Sequence, residues 1–222
     1  MRITRQQAEG NRARVVEAAA RLFREKGFEG IGVADLMHAA GMTHGGFYNH
    51  FESKDDLGAA ACAHALSQSV AAIEAVAADE GPIGQALADY RRRYVSRKNR
   101  DAGGFRCPMV AFGADVSRQG PALREVYAKG LRLYLDAFVR AYANERRRRP
   151  AKADIRAEAM THFATMVGAV SLARSIAKAD PSLSDEILEA ALANLETSRT
   201  KGRDEAARQP RAKSGAGARQ KR

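Results

Sequence analysis

Tryptophan is absent from this 222-residue chain, and aromatic residues make up only 6% of it. Strands are usually filled by aromatic and β-branched side chains, so a core drawn mainly from Ala, Leu, Val and Met points to packed helices. Two cysteines, Cys62 and Cys107, are too few for a disulfide-stapled secreted scaffold. Apolar runs such as Met166 to Ala173 fall well short of the ~18 residues that a membrane span needs. The opening Met1-Arg2-Ile3-Thr4-Arg5 is charged rather than apolar, unlike a secretion signal. The five histidines, His38, His44, His50, His64 and His162, have no HExxH-like spacing, and no phosphate loop or nucleophile–base signature occurs. These gaps predict an all-α, cytoplasmic protein that is not an enzyme, with no catalytic residue, no metal, no cofactor and no membrane partner.

Basic charge is plentiful but unevenly placed. The chain has 37 Lys and Arg against 26 Asp and Glu, a formal net charge of +11. Residues 1–57 are neutral overall, residues 58–198 carry +4, and residues 199–222 carry +7. The last segment has no Leu, Ile, Val, Phe or Tyr to bury and reads as a disordered basic tail. Such a tail is either simply solvated or a non-specific arm for nucleic acid.

Helical periodicity covers nearly the whole chain and predicts about nine helices. Val15, Ala19, Leu22 and Phe23 share one face of a first helix, which starts near residue 10 and stops at Gly27. Val33, Leu36, Met37 and Ala40 mark a second, stopped by Gly41. A third spans His44 to about Phe51, and a fourth starts at the capping box Ser53-Lys54-Asp55-Asp56 and reaches about Asp79. Further helices are expected from Pro82 to about Arg100, Cys107-Pro108 to Ser117, Ala122 to Arg148, Lys152 to Lys178, and Ser184 to Thr197. Three parts result: a helix-turn-helix domain over 1–57, a larger helical domain over 58–198, and the tail over 199–222.

Two helices joined through Gly41-Met42-Thr43 form a helix-turn-helix. Thr43 suits an N-cap, Phe47 and Phe51 share an inward face, and His44, Gly45, Tyr48 and Asn49 lie on other faces. Each mid-helix glycine costs about 1 kcal/mol against alanine. Gly45-Gly46 therefore reflects either close approach to DNA or a packing constraint within the small unit.

The segment resembles the TetR family of transcriptional repressors. The resemblance rests on Val15 to Gly27, Val33-Ala34-Asp35-Leu36, Ala39-Ala40-Gly41-Met42-Thr43, Gly46-Phe47-Tyr48-Asn49-His50-Phe51 and Ser53-Lys54-Asp55-Asp56-Leu57. Gly168 to Arg174 and Ser184 to Leu188 are similar to an AcrR-type branch of that family. His44 stands where such proteins often have Arg or Lys, and Gly32 where they often have a capping Thr. The resemblance implies a homodimer whose recognition helices enter successive major grooves of a palindromic operator. It places Thr43, His44, Gly45 and Gly46 toward the bases, with Asn49 beside them. Tyr48, His50 and Lys54 fall at phosphate contacts.

The resemblance makes residues 58–198 the effector-binding and dimerisation domain. Pocket candidates are Tyr90, Tyr94, Cys107 and Phe112, then Tyr127, Leu131 and Phe138, then Phe163 and Met166; each could equally fill an ordinary core. Gly168, Ala169, Ala173, Leu188 and Leu192 are dimer-interface candidates. Cys107 precedes a helix start and follows Arg106, two features that lower a thiol pKa, so it is a candidate redox sensor. The expected function is a repressor released from DNA by an unknown small-molecule or thiol-reactive inducer. Its rivals are a sequence-tolerant DNA binder driven by the tail, and an all-α enzyme.

Overall fold

The computed structural model describes residues 4–102, 107–145 and 155–208, with side chains described as far as Thr197. Among the described residues nine α-helices follow in order: α1 (Arg5–Lys26), α2 (Val33–Ala39), α3 (Lys54–Ala77), α4 (Gln85–Tyr94), α5 (Arg97–Asp101), α6 (Pro108–Val116), α7 (Pro121–Glu145), α8 (Ile155–Ile176) and α9 (Pro181–Arg208). A 3₁₀ turn, His44–Asn49, lies between α2 and α3. No strand occurs among the described residues, and the fold is all-α.

Helix ends follow local chemistry, and several differ from expectation. The first helix starts at Arg5, earlier than its apolar stripe implies, because Thr4 and Gln7 form a capping box. The Thr4 hydroxyl accepts from the Gln7 N–H at 3.2 Å, and the Gln7 side chain accepts from the Thr4 N–H at 2.8 Å. Gly27, at φ 76°, ends it. The stretch expected as one helix from Pro82 to Arg100 is two. It starts after Gly84, also at φ 76°, and breaks between Tyr94 and Arg97, where the Ser96 hydroxyl caps Asn99 at 3.1 Å. The last helix runs past Thr197 to Arg208, into the segment read as a tail, since Ala, Glu, Lys and Arg all favour helix. Residues 209–222, the rest of that segment, lie outside the described residues.

The body is built on α3 against α7. They approach closely at Gly130, where an added Cβ would lie 2.6 Å from Leu66 Cδ1. The third helix is also apolar enough, at a mean hydropathy of 1.2, to pass a composition test for a membrane span. It is a core helix instead. Leu57, Ala61, Cys62, Ala65, Leu66 and Ile73 bury one face of it, while His64, Gln68 and Glu74 mark its polar side.

The N-terminal unit has its own core of Val15, Ala19, Phe23, Leu36, Met37, Phe47 and Phe51. It docks on the body through Phe28, whose ring lies 5.0 Å from both Phe23 and Phe112 of α6. Gly58 leaves room there, since its Cβ would approach Leu123 at 3.2 Å and Phe28 at 3.5 Å. Burial of these aromatics, worth roughly 1.5–3 kcal/mol each, joins the two parts.

Candidate nucleic-acid interface and ligand cavity

The turn after α2 is made by Gly41, at φ 72°, a conformation that glycine adopts without strain. His44–Asn49 winds as a 3₁₀ turn rather than the expected α-helix, and the Thr43 hydroxyl accepts no capping bond. Two successive glycines favour the α-helix poorly, which accounts for the tighter winding. Phe47 is buried and stacks on Phe51 at 5.6 Å, as the inward pair should.

Thr43, His44, Gly45, Tyr48 and Asn49 are exposed, while Gly46, His50 and Lys54 are half-buried. Tyr48 is 72% exposed, a large apolar-bodied side chain with little to pack on except the edge of Phe47 at 5.2 Å. A Cβ at Gly45 would meet nothing within 4 Å, and one at Gly46 only Met37 and Thr43 at 3.8 and 3.9 Å. Packing within the unit therefore does not demand the glycine pair. At the start of α3 the Ser53 hydroxyl accepts from the Asp56 N–H at 3.1 Å. The Asp56 carboxylate reaches back to the Glu52 N–H at 3.3 Å, one residue earlier than a capping box places it. Lys54 stands on this first turn, loosely paired to the exposed Glu29 at 4.0 Å.

No Lys or Arg occurs from Gly27 to Ser53, so the turn itself has no permanent cation. Sequence reasoning missed what supplies one. Exposed Arg12 of α1 lies with its guanidinium 4.8 Å from the Phe51 ring, against the foot of the turn. The excess of basic residues before Gly27 was the available signal.

The pocket candidates separate into two groups. Phe112, Phe138, Phe163 and Met166 are fully withdrawn into the core. Tyr127 and Leu131 pack half-buried against it, with the Tyr127 hydroxyl 3.4 Å from the Met109 carbonyl. Tyr90, Tyr94 and Cys107, by contrast, line one cavity of about 310 Å³, near the lower end for small-molecule sites. Tyr134 of α7 completes the wall, and its hydroxyl bonds that of Tyr90. Ser69 and Ala72 of α3 face them, and Arg93 and Asn99 stand at the solvent edge. Tyr134, Arg93 and Asn99 were not singled out from sequence. The spacing of Tyr90, Arg93 and Tyr94 at i, i+3 and i+4 was the signal for Arg93.

Cys107 differs most from expectation. Its thiol accepts from the Tyr94 hydroxyl at 2.8 Å and lies 3.9 Å from Met109 Sδ. Burial pushes the thiol above its ordinary pKa; Tyr94, the first N–H groups of α6 and the charge of Arg24 pull it down and do not prevail. The helix start thus lowers the thiol pKa by less than burial raises it, and the thiol is protonated at neutral pH. Arg106 lies outside the described residues. Cys62 is buried, its thiol pushed up to about 12.

Among the dimer candidates, Ala169, Ala173 and Leu188 are buried within the chain's own core and Leu192 is half-buried against it. A Cβ at Gly168 would meet nothing within 4 Å. The outward apolar residues of these helices are instead Met160 and Leu172 of α8, 41% and 60% exposed, and Leu183 of α9, 45% exposed.

A profile of bacterial regulatory proteins of the tetR family matches residues 15–61. The HTH-type transcriptional regulator TtgR of Pseudomonas putida is 39% identical over 57 residues, 26% of this chain and 27% of that protein. The HTH-type transcriptional repressor DhaR of a Mycobacterium species is 45% identical over 47 residues, 21% of this chain and 24% of that one. The chain thus matches only about a quarter of the length of these relatives. The fold extends the likeness. A TetR transcriptional regulator from Chloroflexus aurantiacus superposes with a TM-score of 0.73 at 27% identity, over 88% of this chain and 97% of the other. Reduced NemR of E. coli superposes at 0.71 with 22% identity, over 85% and 97%. Residues 15–61 thus match the tetR family of bacterial regulatory proteins, and the all-helical body has the fold of solved TetR-family regulators.

Proposed function

We propose that the chain is a sequence-specific DNA-binding repressor that acts as a homodimer and is released from a palindromic operator by a small molecule. The observation that carries this reading is the two-faced turn at 44–51. Phe47 and Phe51 anchor it from inside, while Thr43, His44, Gly45, Tyr48 and Asn49 stay exposed with no internal work to do. Thr43, His44 and the glycine pair approach base edges. Tyr48 and His50 bond phosphates, and Lys54 adds an ammonium at a helix N-terminus, where backbone N–H groups already favour an anion. Copies meet across the outward face of α8 and α9, around Leu172 and Leu183, where Gly168 permits close approach.

The tyrosine-lined cavity is the inducer site in this reading. Cys107, the N-cap of α6, lines the cavity, and Phe112 of the same helix packs on Phe28 beneath the N-terminal unit. A ligand that displaces α6 would tilt that unit and alter the spacing of the two recognition turns. The protonated, buried Cys107 favours a reversibly bound inducer over a thiol-reactive one.

Selection of bound duplexes from a random pool tests the core of the proposal. The expected result is an enriched inverted repeat with half-sites about one helical turn, roughly 34–36 Å, apart. A pool that stays random after repeated selection would refute it.

A further inference from the structure

Five arginines lie on α4 and α5, and four of them are committed to carboxylates. Arg91 pairs with Glu145 at 2.9 Å, Arg92 with Asp89 at 2.6 Å, Arg97 with Asp185 at 3.0 Å and Arg100 with Asp185 at 2.7 Å. Arg93 alone has no ion pair with the described residues, and Asp89, one turn back, is already held by Arg92 and Gln85. Arg93 lines the tyrosine cavity. It also lines a second hollow of about 370 Å³ together with Arg92, Ser96, Lys98 and Asn99, so the two hollows share Arg93 and Asn99. Lys98 likewise forms no ion pair with the described residues. Behind this edge the wall is uncharged. It consists of phenols, a hydroxyl, an alanine and a thiol that burial keeps protonated.

We infer that the cavity takes a small aromatic or similarly flat anion, its apolar body among Tyr90, Tyr94 and Tyr134 and its carboxylate, sulfonate or phosphate held at the edge by Arg93, with Lys98 beside it. This inference rests on reading the cavity as the inducer site. The phenol hydroxyls of Tyr90 and Tyr134 already bond each other, and Tyr94 is given to Cys107. The interior therefore offers ring faces more than free donors, which suits an aromatic body. An unpaired guanidinium at the rim is a planar fork matched to an oxyanion. A cationic ligand would meet Arg93 at the entrance, with Lys98 in the adjoining hollow, and be repelled.

Calorimetric titration of the full chain with 2-naphthoate and with its neutral isostere 2-naphthamide tests this. Naphthoate should bind more tightly by about tenfold, the usual size of a charge-assisted hydrogen bond. Arg93→Ala should remove that advantage and leave naphthamide unchanged, and Arg93→Lys should keep part of it. Arg93 is exposed, so neither change threatens the fold. Equal binding of the two probes, or naphthoate binding that survives Arg93→Ala, overturns the anion assignment. A third variant, Ala72→Trp, fills the cavity. Binding that persists in it, or no saturable binding of either probe to the wild type, overturns the cavity as a ligand site together with the inference.

Discussion

In the N-terminal unit Phe47 is 1% exposed, and Tyr48, its neighbour, is 72% exposed. In the helical body the order reverses, because Tyr94 and Tyr134 are withdrawn and it is Arg93 that meets water. A tyrosine turned outward beside backbone glycines offers a surface to something large. Tyrosines turned inward around a cavity of about 310 Å³ offer one to something small. The two regions share a residue type and differ in what their cores release: the small three-helix core spares its outer face entirely, and the larger core keeps its polar groups for internal bonds.

That comparison can be broken at its core positions first. Phe47→Ala should cost about 3–5 kcal/mol, measured as a lowered denaturant midpoint, since it opens a cavity between Met37 and Phe51. Arg91→Ala should cost a similar ~3–5 kcal/mol, because it leaves Glu145 buried without its bidentate partner at 2.9 and 3.2 Å. If either change instead leaves stability intact and abolishes binding, the division between core and face is wrong.

Next comes a test confined to the body. The Cys62 thiol, raised by burial from 9.0 to about 12, favours the folded state while protonated. That contribution is complete below about pH 9 and is lost as pH climbs toward 12. Alkaline unfolding should therefore be shallower in Cys62→Ala than in the wild type over that window. Cys107, raised in the same direction, should alkylate slowly at neutral pH and only speed up as the solution turns alkaline.

Smaller effects fall on the exposed face. Tyr48→Ala should weaken operator binding roughly tenfold with little change in melting temperature, as expected for one lost bond to a charged phosphate. Gly45→Ala should leave stability level or raise it by about 0.5–1 kcal/mol, because its Cβ meets nothing inside the chain, while DNA affinity falls.

Much of the N-terminal unit was legible because its signals are local. Gly27 and Gly41 stop helices by their own backbone freedom, Ser53 caps its own helix, and Phe47 and Phe51 face inward by spacing alone. What escaped there was the winding of 44–49, where two glycines tip a short helix to 3₁₀ geometry, and Arg12, whose place beside Phe51 is set by tertiary packing. The body was less legible for the same reason. Tyr90 meets Tyr134 across 44 residues and Arg100 meets Ser184 across 84, and no periodicity reports such pairings. Phe138 and Met166 resemble Tyr90 in composition and spacing, yet only depth separates core from cavity wall. Cys107 shows the limit of local argument: the N–H groups at the helix start act in the stated direction, and burial outweighs them.

In the proposed function, DNA specificity lies in the face from Thr43 to Lys54 and the net charge of +11 has only a non-specific part. Competition binding at physiological salt, run with the full chain and with residues 209–222 deleted, tests this most directly. The prediction is that the preference for a selected operator over scrambled duplex survives the deletion, while affinity for scrambled duplex and its salt dependence both fall. Loss of the operator preference along with the C-terminal segment would contradict it.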